Sequence, residues 1–171
     1  MNNFFSLTLR LLITSCGSNQ PYGDPNKKPE SKEKTEKTVF LFVGDSLTAG
    51  YGVNIEDCFV SLLKNEFEKS NSPWQIKNAG ITGETSAGTL ARIDWLIASK
   101  PKMIFLCIGS NDGLRGIRAE VFHKNLKEII EKINKTDIKL ILAGVKIPYN
   151  YGVEYMGKIN AVPETLAKEF S

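Results

Sequence analysis

Histidine is almost absent from this chain: His123 is the only one in 171 residues. Cysteine is scarce and odd in number, and Cys16, Cys58 and Cys107 sit in unlike surroundings, so no disulfide framework is implied. Cys58 and Cys107 read as small buried hydrophobes, and neither has the neighbours of a metal site. A strong charge of one sign is lacking too. Charged residues make up 24% with a formal net charge of +3, too mild and too mixed for a nucleic-acid surface. No apolar run is long enough to span a bilayer. The phosphate-binding pattern G-x-x-x-x-G-K-[ST] is missing after the first apolar run. The third glycine of a dinucleotide fingerprint is missing as well, since Gly50 and Gly52 are followed by Ile55. No internal repeat is visible.

What is present begins with "MNNFFSLTLRLLITSCGSN", a short apolar stretch ending in small residues, the pattern of an export signal. Ile13-Thr14-Ser15-Cys16 resembles a bacterial lipobox. That resemblance implies a signal peptide over residues 1–15 and a lipid-bearing Cys16 that anchors the chain to a membrane of the cell envelope. Against it, no Lys or Arg precedes Arg10, and Arg10 interrupts the apolar run, so a misread start or plain disorder stays open. Residues 16–38 are rich in Pro, Lys, Glu and Ser with almost nothing to bury. They read as a disordered tether, whose average reach would be ~25 Å.

From Val39 onward, apolar runs alternate with amphipathic segments, the signature of βαβ units and a mostly parallel sheet. Strands are predicted at Val39–Val43, Gln75–Asn78, Met103–Ile108 and Lys139–Ala143, the last two as continuous apolar runs covered on both faces. Helices are predicted near Asp57–Lys69, Ala87–Ala98, Ala119–Asn134 and Glu154–Phe170. In the third, Phe122, Leu126, Ile129, Ile130 and Ile133 repeat at helical spacing and mark the face that packs on the sheet. His123 falls off that stripe, as a solvent-exposed residue.

In an open parallel sheet, ligands bind at the carboxyl ends of the strands. Three loops there combine glycine with hydroxyl, amide or carboxylate groups: "GDSLTAG", "NAGITGETS" and "GSNDGLRG". Acyl transfer needs a nucleophile on an exposed turn and donors aimed at the oxygen that becomes negative. Ser46 would begin a helical turn, where free backbone N–H groups favour negative charge. Its own N–H, the N–H of Gly83 and the side-chain amide of Asn111 supply three candidate donors. The G-x-S-x-G elbow is not the pattern, since three residues separate Ser46 from Gly50.

Taken together, Gly44-Asp45-Ser46-Leu47, Gly83 in Ile81-Thr82-Gly83-Glu84 and Asn111 in Gly109-Ser110-Asn111-Asp112 resemble the first three blocks of the GDSL, or SGNH, hydrolase superfamily. Gly113-Leu114-Arg115-Gly116 and "IPYNYG" resemble its small secreted acyl-thioesterase, arylesterase and lysophospholipase branch. The resemblance covers Val39 to Ser171. It implies a three-layer α/β/α sandwich, flavodoxin-like, with strand order 2-1-3-4-5, and hydrolysis of small acyl esters, thioesters or lysophospholipids without metal or cofactor. It makes Ser46 the nucleophile, Gly83 and Asn111 oxyanion donors, and Leu114, Arg115, Pro148, Tyr149 and Asn150 substrate-binding residues.

The fourth block of that family, Asp-x-x-His near the C-terminus, is not found, and the sequence closes on "LAKEFS" about where a fifth strand is expected. The expectation is therefore a domain over residues 39–171 that is truncated before the fifth strand and catalytically impaired. Three readings follow: a lipid-anchored ester hydrolase, a degenerate relative retained as a binding module or a non-functional fragment, and a flavodoxin-like cofactor binder.

Overall fold

The computed structural model describes residues 37–147 and 151–171. The predicted signal peptide, Cys16 and the tether as far as residue 36 lie outside the described residues, as do Pro148, Tyr149 and Asn150. The chain runs β1 (Thr38–Gly44), α1 (Ser46–Ala49), a short 3₁₀ turn (Ile55–Asp57), α2 (Phe59–Lys69), β2 (Trp74–Gly80) and α3 (Ser86–Ala98). It continues through β3 (Met103–Cys107), α4 (Ser110–Leu114), α5 (Ala119–Asn134), β4 (Lys139–Leu142) and α6 (Val153–Glu169). Each predicted strand and long helix is found within two residues of its expected ends.

The strands form one parallel sheet in the order β2-β1-β3-β4, which matches the first four places of the expected order. Alternation along β1 splits its side chains between two cores, as the two-residue period of a strand requires. Phe40 and Phe42 join Ile76 of β2, Cys58 and Val60 on the face covered by α2. Leu41 and Val43 join Ile104 and Leu106 of β3 on the other face. There Ile93 and Leu96 of α3, the whole predicted stripe of α5, and Ile159 and Leu166 of α6 complete the larger core. Helices thus lie on both faces, giving the three-layer arrangement.

Two expectations are corrected. β4 is not covered on both faces: Lys139 and Ile141 are exposed while Leu140 and Leu142 are half-buried. β4 pairs only with β3 among the described residues, so its apolar run reflects one packed face plus an open edge. His123 is half-buried on α5 rather than fully exposed.

The strand order sets where chemistry can sit. The chain reverses direction of travel across the sheet between β1 and β3, the switch point outside which α/β sheets open a crevice at the strands' carboxyl ends. Gly44, the last residue of β1, is in register with Gly80 and lies beside Cys107 of β3. All three glycine-bearing loops therefore leave the sheet at the same level.

Candidate active site

Ser46 is the first residue of α1 and is half-buried. Asp45 caps this short helix, its Oδ1 accepting the Leu47 N–H at 3.0 Å, as an Asp directly before a helix does. The Gly50 and Tyr51 N–H groups donate to the Ser46 carbonyl, both at 3.0 Å, which fixes its main chain. Among the described residues, neither the Ser46 N–H nor its hydroxyl is taken up by an internal hydrogen bond. Asp45 is fully buried, and its carboxylate, after burial itself, helps push the Cys107 thiol pKa above its ordinary value.

The second loop folds back onto the first. Ile81 N–H donates to the Gly44 carbonyl at 2.9 Å, and Asn78 Nδ2 donates to the Thr48 carbonyl at 2.7 Å. A Cβ on Gly80 would lie 2.7 Å from the Thr48 carbonyl carbon, so only glycine lets α1 sit this close. Residues Ile81 to Glu84 then form a turn closed by the Glu84 N–H on the Ile81 carbonyl at 3.1 Å. Gly83 occupies its third place with φ +80, a conformation that L side chains resist. The buried Glu84 forms an ion pair with the half-buried Arg92 of α3, whose Nε lies 2.6 Å from Oε1, while Arg92 Nη2 also donates to the Ala79 carbonyl at 2.8 Å.

The third loop is tied to the second by side chains. Asn111 Nδ2 donates to the Glu84 carbonyl at 2.9 Å, and Arg115 Nη2 donates to the Gly83 carbonyl at 2.8 Å. Since an amide nitrogen carries two hydrogens, Asn111 keeps one N–H to offer. The Gly83 N–H likewise has no internal acceptor among the described residues. The donors of Ser46, Gly83 and Asn111 are therefore carried on three loops that are bonded to one another.

Leu114 and Arg115 are exposed at the end of α4. The Leu114 carbonyl accepts the Tyr151 hydroxyl at 2.7 Å, and the Tyr151 and Tyr155 rings pack edge to face 5.7 Å apart. Tyr155 donates to the Ile117 carbonyl at 2.7 Å, and its burial, before the nearby Tyr151 and Asp112, raises its pKa. These tyrosines fasten the start of α6 to the segment after Asn111.

Residues 42–170 match the GDSL-like lipase/acylhydrolase family. The chain belongs to this family. It is 35% identical over 132 residues to the esterase TesA of Pseudomonas aeruginosa, which covers 77% of this chain and 66% of that protein. It is 33% identical over 133 residues to the thioesterase 1/protease 1/lysophospholipase L1 of Escherichia coli K12, covering 77% of this chain and 62% of that protein. The chain thus spans somewhat under two thirds of the length of both relatives. The crystal structure of AlinE4, an SGNH-hydrolase family esterase, superimposes with a TM-score of 0.73 at 32% identity, over 79% of this chain and 73% of that one.

Several residues of the site escaped the sequence reading. Asp112 and Glu84 are buried polar groups whose partners, Ser86 and Arg92, lie 26 and 8 positions away, and spacing alone does not reveal such pairing. Tyr155 is 38 residues from its acceptor. Among the described residues no cluster of His, Cys, Asp and Glu could hold a metal, and no helix is long and apolar enough to cross a membrane.

Proposed function

We propose that this chain carries the nucleophile and oxyanion site of a serine hydrolase of carboxylic esters and thioesters, lysophospholipids among them. The reading is supported most directly by the bond from Asn111 Nδ2 to the Glu84 carbonyl, because it ties the third loop to the turn that presents Gly83. In this reading the Ser46 hydroxyl attacks the acyl carbon and gives its proton to a general base, and the carbonyl oxygen becomes an oxyanion. The Ser46 N–H, the Gly83 N–H and the free Asn111 Nδ2–H receive that charge. The intermediate then collapses and expels the alcohol or thiol, which takes the proton back from the base, leaving the acyl group on Ser46; water, deprotonated in its turn by the base, releases the acid and restores Ser46. Leu114 and Arg115 border the acyl group together with Pro148, Tyr149 and Asn150, and Cys16 carries a lipid that holds the enzyme at the cell envelope. The names of the relatives, an esterase and a thioesterase/lysophospholipase, favour this substrate class.

A second reading, a binding module with weak or no turnover, is favoured by one observation. His123 is the sole imidazole of the sequence and lies on α5, and among the described residues it makes no hydrogen bond to Ser46 or to a carboxylate. Hydrolysis of a short-chain p-nitrophenyl ester and of an acyl-thioester by the purified protein separates the two readings. Turnover that Ser46→Ala abolishes supports the first. Binding of a lysophospholipid without turnover supports the second.

A further inference from the structure

Three contacts join the second and third loops, at Gly83, Glu84 and Ser86 in chain order along the second. Arg115 meets Gly83, Asn111 meets Glu84, and Asp112 meets Ser86. The third differs from the others in being sealed from solvent. Asp112 and Ser86 are both fully buried, and the Asp112 carboxylate accepts twice, from the Ser86 N–H at 2.8 Å and from its hydroxyl at 2.5 Å. Asn125 of α5 completes the group, its Nδ2 donating to Ser86 Oγ at 3.0 Å. Ser86 is the first residue of α3, so the carboxylate binds the very start of the helix that follows the Gly83 turn.

We propose that Asp112 is a positioning residue, which by gripping Ser86 locks α4 against the Gly83 turn and holds the Asn111 amide in the pose that presents its free N–H. The inference rests on the assignment of Asn111 as an oxyanion donor. Two observations carry it. Asp112 adjoins Asn111 on a helix of only five residues, too short to keep its own orientation. Both segments also meet at a buried carboxylate whose acceptor oxygens are each used, so any tilt of α4 would leave a charged group unpaired. Arg115 cannot take over this duty, because its bond to Gly83 is exposed to water.

The test reads the Asn111 side-chain amide directly, by ¹⁵N NMR of the full chain, and so needs no turnover. In the parent protein the Asn111 Nδ2–H bonded to Glu84 is expected to exchange slowly with solvent. In Asp112→Asn, which keeps shape but puts a donor against the Ser86 N–H, its exchange should quicken about tenfold or more, while backbone signals of α5 and the sheet stay in place. Ser86→Ala removes one of the two bonds and serves where Asp112→Asn fails to fold; an intermediate quickening is expected. An Asn111 amide that exchanges as in the parent in both variants, or in Ser86→Ala alone if only that folds, overturns the inference. The parent assignment fails by a separate result, unchanged ester turnover in Asn111→Ala. In any preparation that hydrolyses ester, Asp112→Asn should lower kcat with little change in KM, and should have no further effect once Asn111 is Ala.

Discussion

At the scale of single residues, the site is built from small polar groups that each do two things. Asn111 uses one N–H to hold the Glu84 carbonyl and, among the described residues, leaves the other without an internal acceptor, so its loss should remove a donor without opening the core, where it is only half-buried. Asn111→Ala is expected to lower kcat by ~10²–10³ with melting temperature nearly unchanged, read by ester hydrolysis and thermal unfolding. Cys107 offers a pH prediction. Its folded pKa is raised, by burial first and the Asp45 carboxylate second, so the protonated thiol is the form the fold favours. That contribution is fully present below the ordinary thiol pKa and is lost as pH climbs from there toward the raised value. Cys107→Ser should therefore flatten the alkaline fall in stability, as measured by urea unfolding from pH 7 to 10. The positions of Ser46, Gly83 and Asn111 in the fold were legible in the sequence because each lies in a glycine-bearing loop that follows a predicted strand. The pairing of Asp112 was not, since its neighbours in the sequence say nothing of Ser86.

At the scale of elements, the long helices and the strands declare themselves by period, and the short ones do not. The stripe of Phe122, Leu126, Ile129, Ile130 and Ile133 is wholly buried, as its spacing requires. α4 has only five residues and contains Asn, Asp and Gly, a composition that reads as a turn; Asp112 and Asn111 bond it to α3 and Glu84. β4 misled in the other direction, since an apolar run looks the same whether one face or two are covered, and only Ile141 in solvent tells them apart. The junction of β2 and α3 depends on the Glu84 and Arg92 pair, whose side chains are 5% and 19% exposed. Arg92→Ala leaves a buried carboxylate unpaired and is expected to cost about 3–5 kcal/mol, seen as a lower urea midpoint. Because the Gly83 turn sits on this pair, the same variant should lose activity before it loses secondary structure.

At the scale of the whole molecule, the parallel sheet brings together chemistry that is spread along the chain. Ser46 lies two residues past the end of β1, Gly83 three past β2 and Asn111 four past β3, and the register of Gly44 with Gly80 and Cys107 puts these departures side by side. The parallel sheet of alternating strands and helices followed from the alternating segments, and its strand order from the family resemblance. The cross-links among the loops did not, since they join positions far apart in the chain, Gly83 and Arg115 by 32 residues. Family membership rests on residues 42–170, which include all three loops, while the relatives extend over a greater length than this chain spans. The central claim is that these loops serve a reactive serine. The most direct measurement is covalent labelling with a fluorophosphonate, whose tetrahedral phosphorus adduct uses the same oxyanion donors, followed by mass-spectrometric mapping of the modified peptide. The account expects one label, on Ser46, lost in Ser46→Ala and slowed in Asn111→Ala; label on another residue, or labelling that persists in Ser46→Ala, would contradict it.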